Sequence, residues 1–247
     1  MNNAHPPNDQ QQGLVTYDIA LSFGPVQALA GVSLAIRQGE SVAIMGPSGS
    51  GKSTLLHCLS GVLTPNDGKV LFDGQELSAL RDRQRSHLRL QRFGFVFQDG
   101  QLIPELSARE NVALPLLLTG TSRGAAIRAA DERLHQLGIG DLRNRRPGDM
   151  SGGQAQRVAI ARALAGKPRV VFADEPSGAL DQATGHEVMQ LLTTTVRLAG
   201  ASLVLVTHDI NVARWCSRLV EIRDGLVHSD RRLDRQAPDA TLVGEAR

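Results

Sequence analysis

Aromatic side chains make up only 3% of the 247 residues, so any core must be built mainly from Val, Leu, Ile and Ala. Cysteine is nearly absent. Cys58 and Cys216 stand far apart, without the CxxC spacing of a redox or metal site, each beside an apolar neighbour (Leu59, Trp215). That argues against a disulfide and for two small buried hydrophobes. Net charge is small as well: 27 basic and 25 acidic side chains leave +2, no electrostatic footprint for nucleic acid or an anionic membrane surface. No apolar run approaches the ~20 residues of a membrane span. The longest candidate, Val112 to Leu118, is short and broken by Pro115. Met1 to Gln12 is polar and proline-bearing, with neither the basic nor the apolar stretch of a signal peptide. A role at a membrane therefore needs another subunit to supply the span.

What is present fits one large α/β domain. Hydrophobic content of 41% with 21% charged residues is ordinary for a globular chain, and the length suits a single core. Residues 1–13 read as a disordered N-terminus and 229–247 as a polar, disordered tail, bracketing a domain over 14–228 with no linker or repeat. Leu14 to Phe23 and Val32 to Arg37 read as strands of an antiparallel layer. Ser41 to Met45 is a short apolar strand running into a glycine-rich loop and a helix near Lys52. Lys69 to Phe72, Phe93 to Phe97, Val170 to Ala173, Leu203 to Val206 and Leu219 to Arg223 are further strands, the last closed by the turn signal Asp224-Gly225. From about 99 to 165 strand patterns vanish. Ile127, Ala130, Leu134 and Leu137 recur at helical spacing, which predicts a helical insert on the α/β core.

Gly46-Pro47-Ser48-Gly49-Ser50-Gly51-Lys52-Ser53, followed by Thr54, fits the phosphate-binding pattern GxxxxGK[ST]. Its glycines let backbone N–H groups turn inward, and it opens at a helix N-terminus where unpaired donors favour an anion. Lys52 supplies a point positive charge for the β- and γ-phosphates, and the Ser53 hydroxyl a ligand for Mg²⁺. By average residue usage the pattern arises by accident on the order of once in a hundred chains this long. Val170 to Ala173 ends in Asp174 and Glu175, the Walker B arrangement. Strand alternation separates the two carboxylates, so Asp174 suits Mg²⁺ and Glu175 the attacking water. Met150-Ser151-Gly152-Gly153-Gln154 precedes a strong helix, Ala155 to Ala165, and offers a second helix-terminal anion site.

At this point the sequence resembles the ATP-binding cassette family, whose signature is usually written LSGGQ. The resemblance covers residues 14–228 and implies an α/β P-loop NTPase fold: a mixed, mainly parallel sheet, an antiparallel β-layer and an inserted α-helical subdomain. It implies further roles. Gln98 matches the Q-loop glutamine that touches Mg²⁺, Asp181 in Ser177-Gly178-Ala179-Leu180-Asp181 the D-loop residue at a dimer contact, and His208 the switch histidine at the γ-phosphate. Phe23 stands where relatives stack a tyrosine on adenine; an aromatic face suffices for that, though a Phe at a strand end also suits a core. Met150 replaces the signature leucine, a nearly volume-conserving change.

The same resemblance implies an ATPase that binds ATP and Mg²⁺ between two ATP-binding subunits, taken as identical chains, and drives an integral membrane permease. Each ATP would meet the P-loop of one subunit and Ser151, Gly152, Gly153 and Gln154 of the other. Membrane contact would run only through the permease, at the cytoplasmic face, with no nucleic-acid partner. Phe97-Gln98-Asp99 and the stretch Leu102 to Val112 look like the ATP-binding subunits of lipoprotein-releasing, macrolide-export and antimicrobial-peptide-export systems. Two rivals remain open. One is a regulatory ATPase of the cell-division type, acting through a membrane protein without transport. The other is a DNA-repair ATPase, against which the short Gln98–Met150 insert and the charge balance both stand. His5, His57, His87, His135, His186 and His228 lack metal-ligand spacing, and the five arginines of Arg81 to Arg92 read as a solvated, partly apolar face.

Overall fold

A computed structural model describes residues 13–233. It is an α/β fold with two sheets. Strands β1 (Gly13–Phe23), β2 (Val26–Arg37), β4 (Asp67–Phe72) and β5 (Gln75–Glu76) form an antiparallel sheet in the order β2-β1-β4-β5. The second sheet holds β3 (Ser41–Met45), β6 (Phe93–Phe97), β7 (Val170–Asp174), β8 (Ser202–Val206), β9 (Arg218–Arg223) and β10 (Leu226–Arg232), in the order β10-β9-β3-β8-β7-β6. All its pairings are parallel except β10 on β9.

Alternation along the central strands builds two cores at once. Ala43, Val171, Ala173, Leu203 and Leu205 face one core, with the apolar sides of α5 (Gly152–Ala165) and α6 (Gln182–Leu198). Val42, Ile44, Val170, Phe172, Val204 and Val206 face the other, shared with the antiparallel sheet and α1 (Lys52–Leu59). The few aromatics are concentrated there. Phe72 meets Phe93 at 5.0 Å, Phe93 meets Phe172 at 5.2 Å, and Phe95 stacks between Phe172 at 5.5 Å and Phe97 at 5.9 Å. Cys58 and Cys216 are free and buried, one in each core, and burial pushes both thiols up to about 12.

Between β6 and β7 the chain is helical: α3 (Ala108–Leu118), α4 (Arg123–Gln136), two short 3₁₀ turns and α5. Val112 and Ala113 of α3 join Ala126, Ala130 and Leu134 of α4 in the core under α5. α3 continues through Pro115, which removes the i→i−4 bond to Asn111, and ends within a turn of it at Leu118. Five elements lie outside the strand and helix assignments read from sequence (β5, α2 at Asp82–Arg92, α6, α7 at Ile210–Ala213, and β10), and two of them bear on the surface of the fold. One is α2, which buries no residue completely. The other is β10, and it corrects the boundary of the polar tail. Residues 229–232 are not a disordered tail but the outer end of an edge strand, where Asp230 and Arg231 pair with Val220 and Leu219. Charged residues on an edge strand face water and discourage further pairing, which hides the strand from a hydrophobic pattern. At the other end Gly13 belongs to β1; residues 1–12 and 234–247 lie outside the described residues. Among those described, no helix is long and apolar enough to cross a membrane.

Candidate active site

The order β3-β8-β7-β6 decides where the site lies. These four strands are neighbours and run parallel, so the segments following them emerge on one edge of the sheet. After β3 comes the loop 46–51, after β8 Thr207 and His208, at the end of β7 Asp174 and Glu175, and after β6 Gln98. Open parallel sheets bind ligands at this carboxyl edge.

The loop forms as its glycines predict. Gly51 has φ +99°, and a Cβ there would lie 2.3 Å from the Ala28 carbonyl oxygen of β2, so only glycine lets α1 start this close to the sheet. Among the described residues no side chain caps α1, and its leading N–H donors are left for an incoming acceptor. The Lys52 ammonium donates to the Pro47 carbonyl at 2.7 Å, which folds the loop over its own lysine. The Ser50 hydroxyl is buried with no hydrogen-bond partner among the described residues, while Ser48, Gly49 and Ser53 are exposed. Free helix-end donors, one lysine and an orphaned hydroxyl together suit an oxyanion such as a phosphate.

Asp174 and Glu175 part company as strand geometry requires. Burial raises the Asp174 carboxyl above the usual carboxylate range, and the Ser53 hydroxyl, which hydrogen-bonds to it, pulls the other way. Glu175 adopts a left-handed backbone at φ +47°, with its N–H donating to the Val206 carbonyl at 2.9 Å. That turn swings its side chain to His208, whose Nδ1 lies 2.8 Å from Glu175 Oε1. A residue held in this sparsely populated region beside a reactive group is a common feature of active sites. Gln98 completes the cluster. A Cβ on Gly178 would come within 3.1 Å of Gln98 Nε2 and 3.2 Å of Glu175 Oε2, so Gly178 is the space that lets these two side chains share one corner. Sequence reading placed Gly178 in its motif without a role.

Ser151 caps α5: its hydroxyl accepts from the Gln154 N–H at 3.3 Å, and Gln154 Oε1 accepts from the Ser151 N–H at 3.0 Å. Gly152 and Gly153 pack against Leu180 and Thr184, at the head of α6. Asp181 caps that helix, accepting from the Thr184 N–H at 3.0 Å, and the Thr184 side chain together with that N–H holds its exposed carboxyl below the usual range. The two caps thus stand side by side, a second pair of helix ends separate from α1. Phe23 is 53% exposed at the tip of the β1–β2 hairpin, which removes the core reading and leaves its face free. Trp215 is partly buried, edge-on to His186 at 4.9 Å.

A loop-to-helix phosphate cradle at the carboxyl edge of a parallel sheet, with acids from the next strands, defines a P-loop nucleotide-binding protein. Comparisons narrow the class. The family model described as ABC transporter matches residues 29–178. A lipoprotein-releasing system ATP-binding protein from Caulobacter vibrioides is 46% identical over 202 residues, 82% of this chain and 89% of that one. A macrolide export ATP-binding/permease protein from Nitrosomonas europaea is 46% identical over 221 residues, 90% of this chain. The chain spans only 33% of that relative's length. Among solved structures, a dimeric post-hydrolysis ATP-binding cassette bound to ADP and Pi superposes with a TM-score of 0.82 at 41% identity, covering 90% of this chain and 99% of that one. The chain belongs to the ABC transporter family, as one of its ATP-hydrolysing, ATP-binding cassettes.

Proposed function

We propose that the chain powers a separate membrane permease, as an exporter or force-transmitting complex, by hydrolysing ATP at sites completed between two copies of itself. One observation carries the reading: four adjacent parallel strands deliver Lys52, His208, Asp174–Glu175 and Gln98 to one edge of the sheet. In this arrangement the N–H groups of residues 48–53, with Gly46 behind them, cradle the phosphates, Thr54 follows inside α1, and Lys52 leaves Pro47 for the β- and γ-oxygens. Ser53, Asp174 and Gln98 are the residues suited to hold Mg²⁺, whose charge would offset that of the β- and γ-phosphate oxygens. Glu175 accepts a proton from, and orients, the attacking water. His208, bonded through Nδ1 to Glu175, keeps that carboxylate aimed and would meet a γ-phosphate oxygen. Phe23 offers its face to adenine.

The partner copy would bring Ser151, Gly152, Gly153 and Gln154 to the γ-phosphate, because the exposed head of α5 is itself an anion site built against α6. Asp181, on the adjoining cap, would lie at the same contact. The permease would seat in a cavity of about 470 Å³ between α2, β6 and the helical insert, walled by Leu90, Phe95, Phe97 and Pro115. Seated there, the chain would lie peripherally at the cytoplasmic face. The direct test is Glu175→Gln. With ATP it should bind nucleotide within about threefold of wild type, accumulate as a dimer on size-exclusion chromatography, and lose roughly 100-fold or more in kcat. Turnover at the wild-type rate would remove Glu175 from this role.

A further inference from the structure

The turn that carries Gln98 has little structure of its own. It spans 97–101, leaves the end of β6, holds one internal backbone bond from the Gly100 N–H to the Phe97 carbonyl at 3.0 Å, and puts non-glycine Gln101 at φ +44°. What fixes it is α5. Gln156 Nε2 donates to the Phe97 carbonyl at 2.8 Å, Arg162 Nη2 to Gly100 at 2.8 Å and Arg162 Nη1 to Gln101 at 2.7 Å. Gln156 is 2% exposed, in a helix whose other inward positions are apolar, and burial lowers the Arg162 guanidinium below its usual value. One buried and one partly buried polar side chain spent on turn carbonyls is a costly arrangement to keep unless the turn must be held.

The same helix begins at Ser151. Gln156 and Arg162 therefore sit one and three turns behind the anion site at its head, on one rigid rod. We propose that Gln156 and Arg162 are positioning residues for Gln98. Through the carbonyls of Phe97, Gly100 and Gln101 they hold that glutamine in place in the chain's own site. The proposal rests on the composite-site reading above. It needs no contact between either residue and nucleotide: the turn carbonyls are the intermediary.

The experiment is a double-mutant cycle on ATP hydrolysis by the full chain. Gln156→Leu and Arg162→Met should each lower kcat about tenfold, with KM for ATP within about twofold, because the phosphate cradle is untouched. Arg162→Lys, which keeps a donor for one carbonyl, should recover part of the loss. On a Gln98→Ala background, Gln156→Leu should cost less than about twofold more, since the side chain it positions is gone. Equal losses on both backgrounds would overturn the proposal, as would a KM rise matching the kcat fall. Should Gln156→Leu melt below the assay temperature, the Arg162 pair and Gln156→Asn carry the same cycle. A wild-type chain that hydrolyses no ATP would instead sink the functional reading, so the two failures are distinct.

Discussion

Burial at the end of β7 raises the Asp174 carboxyl, and this has a consequence for stability that runs against function. A carboxyl whose value is higher folded than unfolded keeps its proton longer in the folded state. Stability then falls as pH rises from the unfolded value through the folded one, and at neutral pH the ionised Asp174 costs stability. Asp174→Asn removes that cost while keeping the shape. The nucleotide-free chain should gain roughly 1–3 °C in Tm at pH 7, the size of a change below about 1 kcal/mol at this length. The gain should shrink as pH is lowered, while the upward shift in Tm that MgATP gives the wild type is lost. Thermal melts with and without MgATP check this, and a variant less stable than wild type without nucleotide would contradict it. The residues of this corner were legible in the sequence because each lies in a contiguous motif shaped by backbone rules. Gly178, Gln156 and Arg162 were not, since their meaning depends on side chains and carbonyls brought close only by the fold.

Among the elements, strands buried on both faces were read nearly to the residue. Ser41–Met45 and Phe93–Phe97 end where their apolar runs end. The edge strand β10 escaped because its anchoring is ionic. Arg218 of β9 holds Asp230 of β10 through Nε at 2.7 Å and Nη2 at 2.6 Å, and its Nη1 donates to the Ala35 carbonyl of β2 at 2.7 Å and lies 3.2 Å from Glu40. These bonds raise its guanidinium above the usual value and tie the two sheets at their shared edge. The side chain is only 17% exposed, so removal leaves two partly buried carboxylates without a cation. Arg218→Met should lose about 2–3 kcal/mol, a drop of roughly 5–10 °C in Tm. Arg218→Met with Asp230→Asn should recover part of it, by relieving one stranded charge. A single variant as stable as wild type would mean that the apolar faces alone hold β9 and β10 together.

At the scale of the molecule the two anion sites belong to different helices, α1 from the antiparallel-sheet side and α5 from the helical insert, and the chemistry asks for both around one triphosphate. With two-fold symmetry, each copy lends its α5 head to the other's α1 and the sites close in pairs. This makes a counting prediction. Lys52→Ala damages the cradle and leaves the Ser151 cap, while Ser151→Arg does the reverse, so neither homodimer has a whole site. In a mixed dimer one site collects both lesions and the other is intact. Equal mixing gives about half mixed dimers with one working site of two, so activity should return to about a quarter of wild type if the sites turn over independently, and to less if they are coupled. The measurement is ATP hydrolysis by each variant alone and by a titrated mixture, with a peak near equal amounts. Activity that never rises above the sum of the separate variants would mean that cradle and cap act within one chain. The same mixture made with Gln156→Leu added to the Ser151→Arg chain, whose cradle and Gln98 serve the intact site, should peak about tenfold lower.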